Sequence, residues 1–533
     1  MQKRDVHIPY ILVSVLIIAA ILRFNQIDQP FTDAFSWRQS STAMMAENFY
    51  RKNWNIFYPE VSWTGPEPGY QGRELQTVSY AAALLYIFVG QNDWVGRSIA
   101  VVFGLWGIFA LYQLIRRVWD EERAIVSAAV MAVLPGSIFI ERSFLPDPVM
   151  VSLVVTSLWM FVAYCQTERL PYLLLAGIIG TWGFLTKLPG LMIGIPMIYT
   201  MLAILGHKRL LQPRKIATLT IAAVLMLVPV IVYYLWAWHL ALSYPPYHFA
   251  GAGHWLWDYG LEKWPKENYF LPQLSQIFKN WMWSAPGIVL VLFGLFFFPN
   301  GKGSHPKVTA KQQDNNLNKA SWLFHWWLLV GILYYLIGAK ELVNNPWNFH
   351  IINPAASALV GNAIVSIASF KASVMRSPLS LAIIAMFLLI IGGIGQNNLH
   401  YLYQPYAQES YKLGLALRQV SQPSDLVVTM ANDFGDPVAV YYSQRRGWVF
   451  PPAQAEQSWN QLPEDDHESI QLFEELRTQG ADWLGIVGER RKDFWTGHPT
   501  LVQYVEHTCE FKLKTPEWVI YRILTPEEVA KRL

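Results

Sequence analysis

Charge is scarce in this sequence. Asp, Glu, Lys and Arg make up 15% of 533 residues and hydrophobic residues 53%, against roughly 25% charged residues in an ordinary soluble domain. That shortage excludes a water-soluble globule for most of the chain. Only two cysteines are present, Cys165 and Cys509, which excludes a disulfide framework. The net charge of +3 is spread over many loops and gives no face for nucleic acid. P-loop and dinucleotide fingerprints are absent, which removes the common nucleotide-binding motifs. No small-residue cleavage site follows the first apolar run, "IPYILVSVLIIAAILRF", so it reads as a retained helix rather than a signal peptide.

What is abundant is apolar sequence of bilayer length. Segments at roughly 8–24, 97–115, 124–141, 149–165, 171–186, 189–206, 216–237, 285–299, 321–338, 351–369 and 379–396 come near the approximately 20 residues a spanning helix needs. The 13-residue run 78–90 is too short and reads as an interfacial or re-entrant helix. With that choice Lys3/Arg4, Arg116/Arg117/Arg123, Arg169, 207–215, 301–319 and Lys371/Arg376 all fall on one side, which the positive-inside rule makes the cytoplasm. The other side holds 25–96, the connection near 142–148, Lys187, the loop 238–284, 339–350 and everything after about 397.

The expected fold is therefore an α-helical polytopic membrane domain over 1–399, its first outer loop (25–96) carrying amphipathic helices, followed by a small extracytoplasmic α/β domain over 400–533. In that tail "DLVVTM", "PVAVYYSQ" and "ADWLGIVG" read as strands and "SIQLFEELRTQG" as a helix.

Ionisable groups at the hydrocarbon boundary are costly unless paired or lining a wet cavity, and here they gather at the outer ends of distant elements. Asp33, Arg38, Glu47, Arg73 and Glu74 lie in the first outer loop, Glu141, Arg142 and Asp147 after the third span, Lys187 after the fifth and His350 before the tenth. Plainer roles exist for each. Asp33 would cap a helix through "SWRQSSTAMMAENFYR" and Asp147 the following span; Glu141 would pair with Arg142; Lys187 would snorkel to the interface; His350 would be a capping histidine. Against this for Asp33 stands an acid, an indole and a guanidinium within six residues. The aromatic stretch 248–265 suits sugar stacking and an interfacial belt equally.

Taken in order, "DAFSWRQSSTAxxAxNFY", "NIFYPEV", "GRSIAxxFG", "LPDPVM", "LTKLPG" and "FHIINPAASAL" resemble the bacterial dolichyl-phosphate-mannose-protein mannosyltransferase-like family. These are polyprenyl-phosphate-dependent glycosyltransferases of the GT-C fold, related to the lipid A aminoarabinose transferases. The resemblance covers the first two-thirds of the chain. It implies an integral plasma-membrane enzyme that moves a sugar from a polyprenyl-phosphate-sugar donor to a glycan, lipid or protein acceptor on the extracytoplasmic side. It carries the catalytic acid onto Asp33 and the second acid onto Asp147, and puts Lys187 and His350 at the donor phosphate. In the aminoarabinose branch an acid is followed by a lysine that contacts the phosphate and then by two prolines; here Leu75 and Gln76 follow Glu74. That leaves Arg38, Arg73 and Lys187 as the cations, with Trp37, Glu74 and Arg142 on the substrate side.

The chemistry asks for the same groups. Breaking a sugar–phosphate bond needs a base for the acceptor hydroxyl and cations for the departing phosphate; one base acting in a direct displacement inverts the anomeric carbon. No Asp-x-Asp pair stands in the first outer loop and no His/Cys cluster has metal spacing, so no metal is expected to be required; Mg²⁺ stays open, since one carboxylate and a phosphate can hold it. The competing classes are a transporter, for which mid-span charges and an internal repeat are lacking, and a non-catalytic component of a polysaccharide assembly or export system.

Overall fold

The computed structural model describes residues 7–247, 275–297, 320–343, 345–369, 377–431, 435–452 and 462–531. The aromatic stretch 248–265, the inner loop 301–319, Lys3/Arg4 and Lys371/Arg376 lie outside the described residues.

Within the described residues each expected span is helical over most of its length. By length and composition six described helices can cross a membrane: Asp93–Val118, Asp147–Thr167, Leu188–Leu210, Pro213–Ser243, Pro346–Ala368 and Pro378–Leu402. The shorter apolar helices Pro9–Phe24, Leu170–Thr186, Ser284–Phe296 and Leu323–Ile337 occupy four more expected positions. The remaining one, 124–141, is not a straight helix. Glu121–Val133 and Pro135–Arg142 meet at 64°, because the Pro135 ring has no N–H to give and drives Leu134 out of the helical region, to φ −63°, ψ 127°. The helix Thr77–Val89 is 13 residues long.

Burial distinguishes the spans. Of the apolar window of Asp147–Thr167, 89% is buried, against 11% for Pro213–Ser243, so the first is central and the second offers apolar side chains such as Ile221 and Leu225 to its surroundings. An apolar helix exposed all round is stable only in lipid. This is an integral membrane protein.

The chain forms two compact units that are not consecutive segments. One comprises Met1–Ile27, Arg97–Tyr234 and Ala252–Leu402; the other Asp28–Gly96, Leu235–Gly251 and Tyr403–Leu533. The second unit contains a five-stranded mixed sheet in the order β4-β3-β5-β7-β6, where β3 is Leu426–Met430, β4 Arg446–Val449, β5 Ala481–Val487, β6 Cys509–Lys514 and β7 Trp518–Ile523. A short antiparallel pair, β1 (Glu60–Val61) with β2 (Gly69–Tyr70), precedes it in the first loop. Strand β3 runs parallel to both β4 and β5, and β7 antiparallel to β5 and β6. Val428, Leu484, Ile486, Val519, Leu472 and Leu501 pack a core between the sheet and its helices.

The stretch "PVAVYYSQ", expected as a strand, is the helix Val438–Ser443. Its apolar run is too short for periodicity to decide, and the Asp436 carboxylate accepts the Val438 N–H at 3.0 Å, which favours a helix start.

The sheet edge is covered from within the same unit. Gly65 N–H donates to Gly447 O at 2.8 Å and Gly447 N–H to Ser62 O at 3.0 Å, so the first loop pairs with β4. Gly65 sits at φ +105°, and a Cβ there would come 2.8 Å from the Trp448 indole nitrogen. Arg446 closes the join by pairing with Glu60 and donating to Gly65 O at 3.0 Å. Pairing of this kind removes an exposed edge.

Candidate active-site clusters

In the second unit, the helix Ser36–Arg51 follows Asp33, and 13 of its 16 residues are buried, including Arg38, Gln39, Glu47 and Asn48. It is therefore an interior polar helix and not the surface amphipathic one expected. Asp33 does not cap it. The cap position is Phe35, with no side-chain bond and a left-handed backbone (φ 63°), a conformation costing roughly 1–3 kcal/mol for a non-glycine residue unless the surroundings hold it. Asp33, fully buried, instead accepts the Gln39 side-chain N–H on Oδ1 at 2.7 Å. Arg38 forms a buried ion pair with Glu74, Arg73 is buried as well, and Trp37 is 37% exposed. Glu74, expected on the substrate side, thus serves here as the partner of Arg38.

In the first unit, Asp147 opens the helix Asp147–Thr167 and Lys187 directly follows Leu170–Thr186, each at the helix end that its charge favours. Asp147 makes no side-chain cap. Lys187 Nζ donates to Asp147 Oδ1 at 2.7 Å and to Asn348 Oδ1 at 2.8 Å; it is 9% exposed, so it is paired rather than snorkelling. Asp147 Oδ2 is buried and accepts no hydrogen bond from the described residues.

A second buried cluster stands in the same unit. Arg23 Nε meets Glu141 Oε2 at 2.6 Å, and its other nitrogens donate to the carbonyls of Ala19, Met131 and Ala132. Glu141 therefore pairs with Arg23 and not with its neighbour Arg142, which donates to Gln26 O at 2.7 Å and Asn25 O at 3.2 Å. Gly104, in "GRSIAVVFG", makes the room, since a Cβ there would lie 2.7 Å from the Glu141 carboxylate.

The state of His350 follows from its neighbours. Trp283 Nε1, which can only donate, gives its proton to Asn353 Oδ1 at 2.9 Å. The Asn353 amide nitrogen then donates to His350 Nδ1 at 3.0 Å and to Ser137 Oγ at 3.1 Å, which assigns the ring proton to Nε2. That nitrogen stands 3.2 Å from Glu141 Oε1, close but poorly aligned for a hydrogen bond. His350 is fully buried, with Nδ1 hydrogen-bonded to Asn353 and Nε2 facing the Glu141 carboxylate.

The Arg23–Glu141 pair predicts a stability effect. Removing one member of a buried pair costs about 3–5 kcal/mol, so Glu141→Ala is expected to lower the detergent-solubilised unfolding temperature strongly, and Arg23→Met/Glu141→Met to recover much of the loss. Unfolding of Glu141→Ala at the wild-type temperature would remove the pair from the list of stabilising contacts.

Sequence reading did not single out Arg23, Gln39, Asn348 or Asn353. Arg23 had a visible signal, an arginine closing an apolar run; the amides have none short of the fold. Among the described residues no three His, Cys, Asp or Glu side chains gather as a metal site needs.

Apolar helices, several of them short and one broken, together with a small mixed-sheet domain match the GT-C fold of membrane glycosyltransferases. Residues 77–234 match the model of the family described as dolichyl-phosphate-mannose-protein mannosyltransferase. Among solved structures, ArnT from Cupriavidus metallidurans in the apo state is similar with a TM-score of 0.62 and 14% identity over 96% of this chain and 97% of that one. The same protein bound to undecaprenyl phosphate gives 0.60 and 12% over 96% and 97%. The apo oligosaccharyltransferase of Archaeoglobus fulgidus is similar at 0.55 and 17% over 96% of this chain and 73% of that chain. No curated protein matches the sequence significantly.

Proposed function

We propose that the protein transfers a sugar from a polyprenyl-phosphate carrier to a glycan, lipid or protein acceptor at the extracytoplasmic face, with inversion at the anomeric carbon. The observation carrying this reading is the buried Lys187–Asp147–Asn348 cluster at the ends of two spans of a GT-C fold, together with the family match over 77–234. The ArnT structure bound to undecaprenyl phosphate supports the class of donor.

Asp33 is the base in this reading. Its carboxylate, oriented by Gln39, takes the proton of the acceptor hydroxyl as that oxygen attacks the anomeric carbon and the lipid phosphate departs. Lys187 meets the phosphate charge, with Arg38 and Arg73 as further cations, and Asp147 Oδ2 accepts from a substrate hydroxyl. Trp37 offers a partly exposed ring for stacking on sugar. No resident metal is required.

The test is transfer by the purified protein in lipid nanodiscs, supplied with undecaprenyl-phosphate-linked mannose or aminoarabinose and envelope lipids or glycans. Release of undecaprenyl phosphate with an inverted product, unchanged by EDTA, is the expected result. Solute flux without release would favour a transporter, and neither would favour an assembly component.

The reading also sets orientation, with the N-terminus cytoplasmic and 400–533 outside, from the alternation of basic loops. Single cysteines at Gln212 and Glu67 are expected to label from opposite sides of the membrane. Labelling of both from one side would overturn this topology.

A further inference from the structure

The segment carrying Asp33 is gripped from the C-terminal part of its own unit. Gln29 Nε2 donates to Tyr403 O at 3.0 Å, Phe31 N–H to the Tyr442 hydroxyl at 2.7 Å, and Ala407 N–H to Thr32 O at 3.0 Å. Tyr442 gives its own proton to Asp93 Oδ2 at 2.6 Å, so it meets Phe31 through an oxygen lone pair. Its ring is fixed edge-on by Tyr411, with centroids 4.6 Å apart. The neighbouring Tyr441 donates to Asp93 Oδ1 at 3.0 Å and meets Phe31 ring to ring, 5.7 Å between centroids. Burial, and after it the Asp93 charge, hold the Tyr441 phenol well above its usual range, which keeps it a donor. Just beyond this grip the chain turns through Asp33 into the left-handed Phe35, a backbone state that persists only where its surroundings impose it.

We propose that Tyr442 is a positioning residue for the Asp33 carboxylate, and that the C-terminal domain thereby acts in the transfer reaction itself instead of serving as an appended binding module. This rests on the reading of Asp33 as the base. The hydroxyl of Tyr442 does two jobs at once, anchoring to Asp93 and accepting the amide two residues before Asp33. Tyr442→Phe removes both with the ring retained. Tyr441→Phe removes one Asp93 bond and keeps the ring contact, so it reports the structural cost alone.

Two measurements on the full-length protein in nanodiscs test this. Amide hydrogen exchange over residues 29–36, which needs no substrate, is expected to speed up about 10-fold or more in Tyr442→Phe, a local opening, and to stay near wild type in Tyr441→Phe. With undecaprenyl-phosphate-linked mannose or aminoarabinose, Tyr442→Phe is expected to lower kcat about 10-fold or more, as misplacement of a reacting group does, at a donor KM within about twofold. In an Asp33→Asn background the same change should cost nothing further, because a residue acting through Asp33 has nothing left to position. Unchanged exchange, or an undiminished loss in the Asp33→Asn background, overturns the proposal. Full activity of Asp33→Asn alone overturns the base reading and the catalytic half of the proposal, whereas faster exchange in that case still upholds the grip on 29–33.

Discussion

Asp33→Asn is expected to turn over at least about 100-fold more slowly than wild type while folding normally and binding undecaprenyl phosphate, because loss of a general base costs about 10²–10⁴-fold in rate. Asparagine keeps the shape of the side chain and an oxygen to receive the Gln39 N–H that now lies 2.7 Å from Oδ1. It removes no helix cap, since the cap position is Phe35 and carries no side-chain bond. The stability change expected is about 1 kcal/mol for each charge-assisted hydrogen bond that becomes a neutral one. A rate loss of two orders of magnitude in a protein with a wild-type unfolding temperature cannot come from that difference. Transfer by purified Asp33→Asn at a near wild-type rate moves the base elsewhere, and Asp147, buried with one oxygen unpartnered among the described residues, is the next residue to test.

The parts of the architecture that sequence revealed are those governed by solvent. Apolar runs of bilayer length marked the positions of the apolar helices, a signal that is local. The bend at Pro135 was also written locally, as a proline within an apolar run, but hydropathy is blind to it because proline interrupts hydrogen bonding without changing polarity. The same blindness covers "PVAVYYSQ", where a short apolar run serves a strand or a helix equally and Asp436 favours the helix. Pairings were the hidden part. Glu141 stands beside Arg142 in sequence yet pairs with Arg23, 118 residues away, because the bent helix brings that carboxylate against the end of the first span and Gly104 leaves space for it. The first loop and the C-terminal sheet likewise look like separate regions in sequence, while Gly65 and Gly447 join them across a strand edge. Asp33, Asp147, Lys187 and His350 were found as ionisable residues at span ends; their amide partners Gln39, Asn348 and Asn353 carry no charge to attract notice.

Lys187→Met is expected to weaken undecaprenyl phosphate binding about 10- to 100-fold, the range of a lost hydrogen bond to a charged group, and the difficulty lies in separating this from a loss of stability. Lys187 neutralises Asp147 across 2.7 Å inside the protein, and removing one partner of such a pair leaves a buried charge, costing about 3–5 kcal/mol. The single variant therefore lowers both the unfolding temperature and the affinity. Lys187→Met/Asp147→Asn removes the stranded charge as well, so its unfolding temperature is expected to return most of the way to wild type. The affinity should not follow, because an amide and a thioether offer no positive charge to a phosphate. Lys187→Arg keeps the charge on a wider, planar group, and its affinity is expected to fall between the wild type and the double variant. Recovery of wild-type undecaprenyl phosphate affinity in the double variant would make Lys187 only the structural partner of Asp147; the phosphate would then fall to Arg73, or to Arg38 released from Glu74.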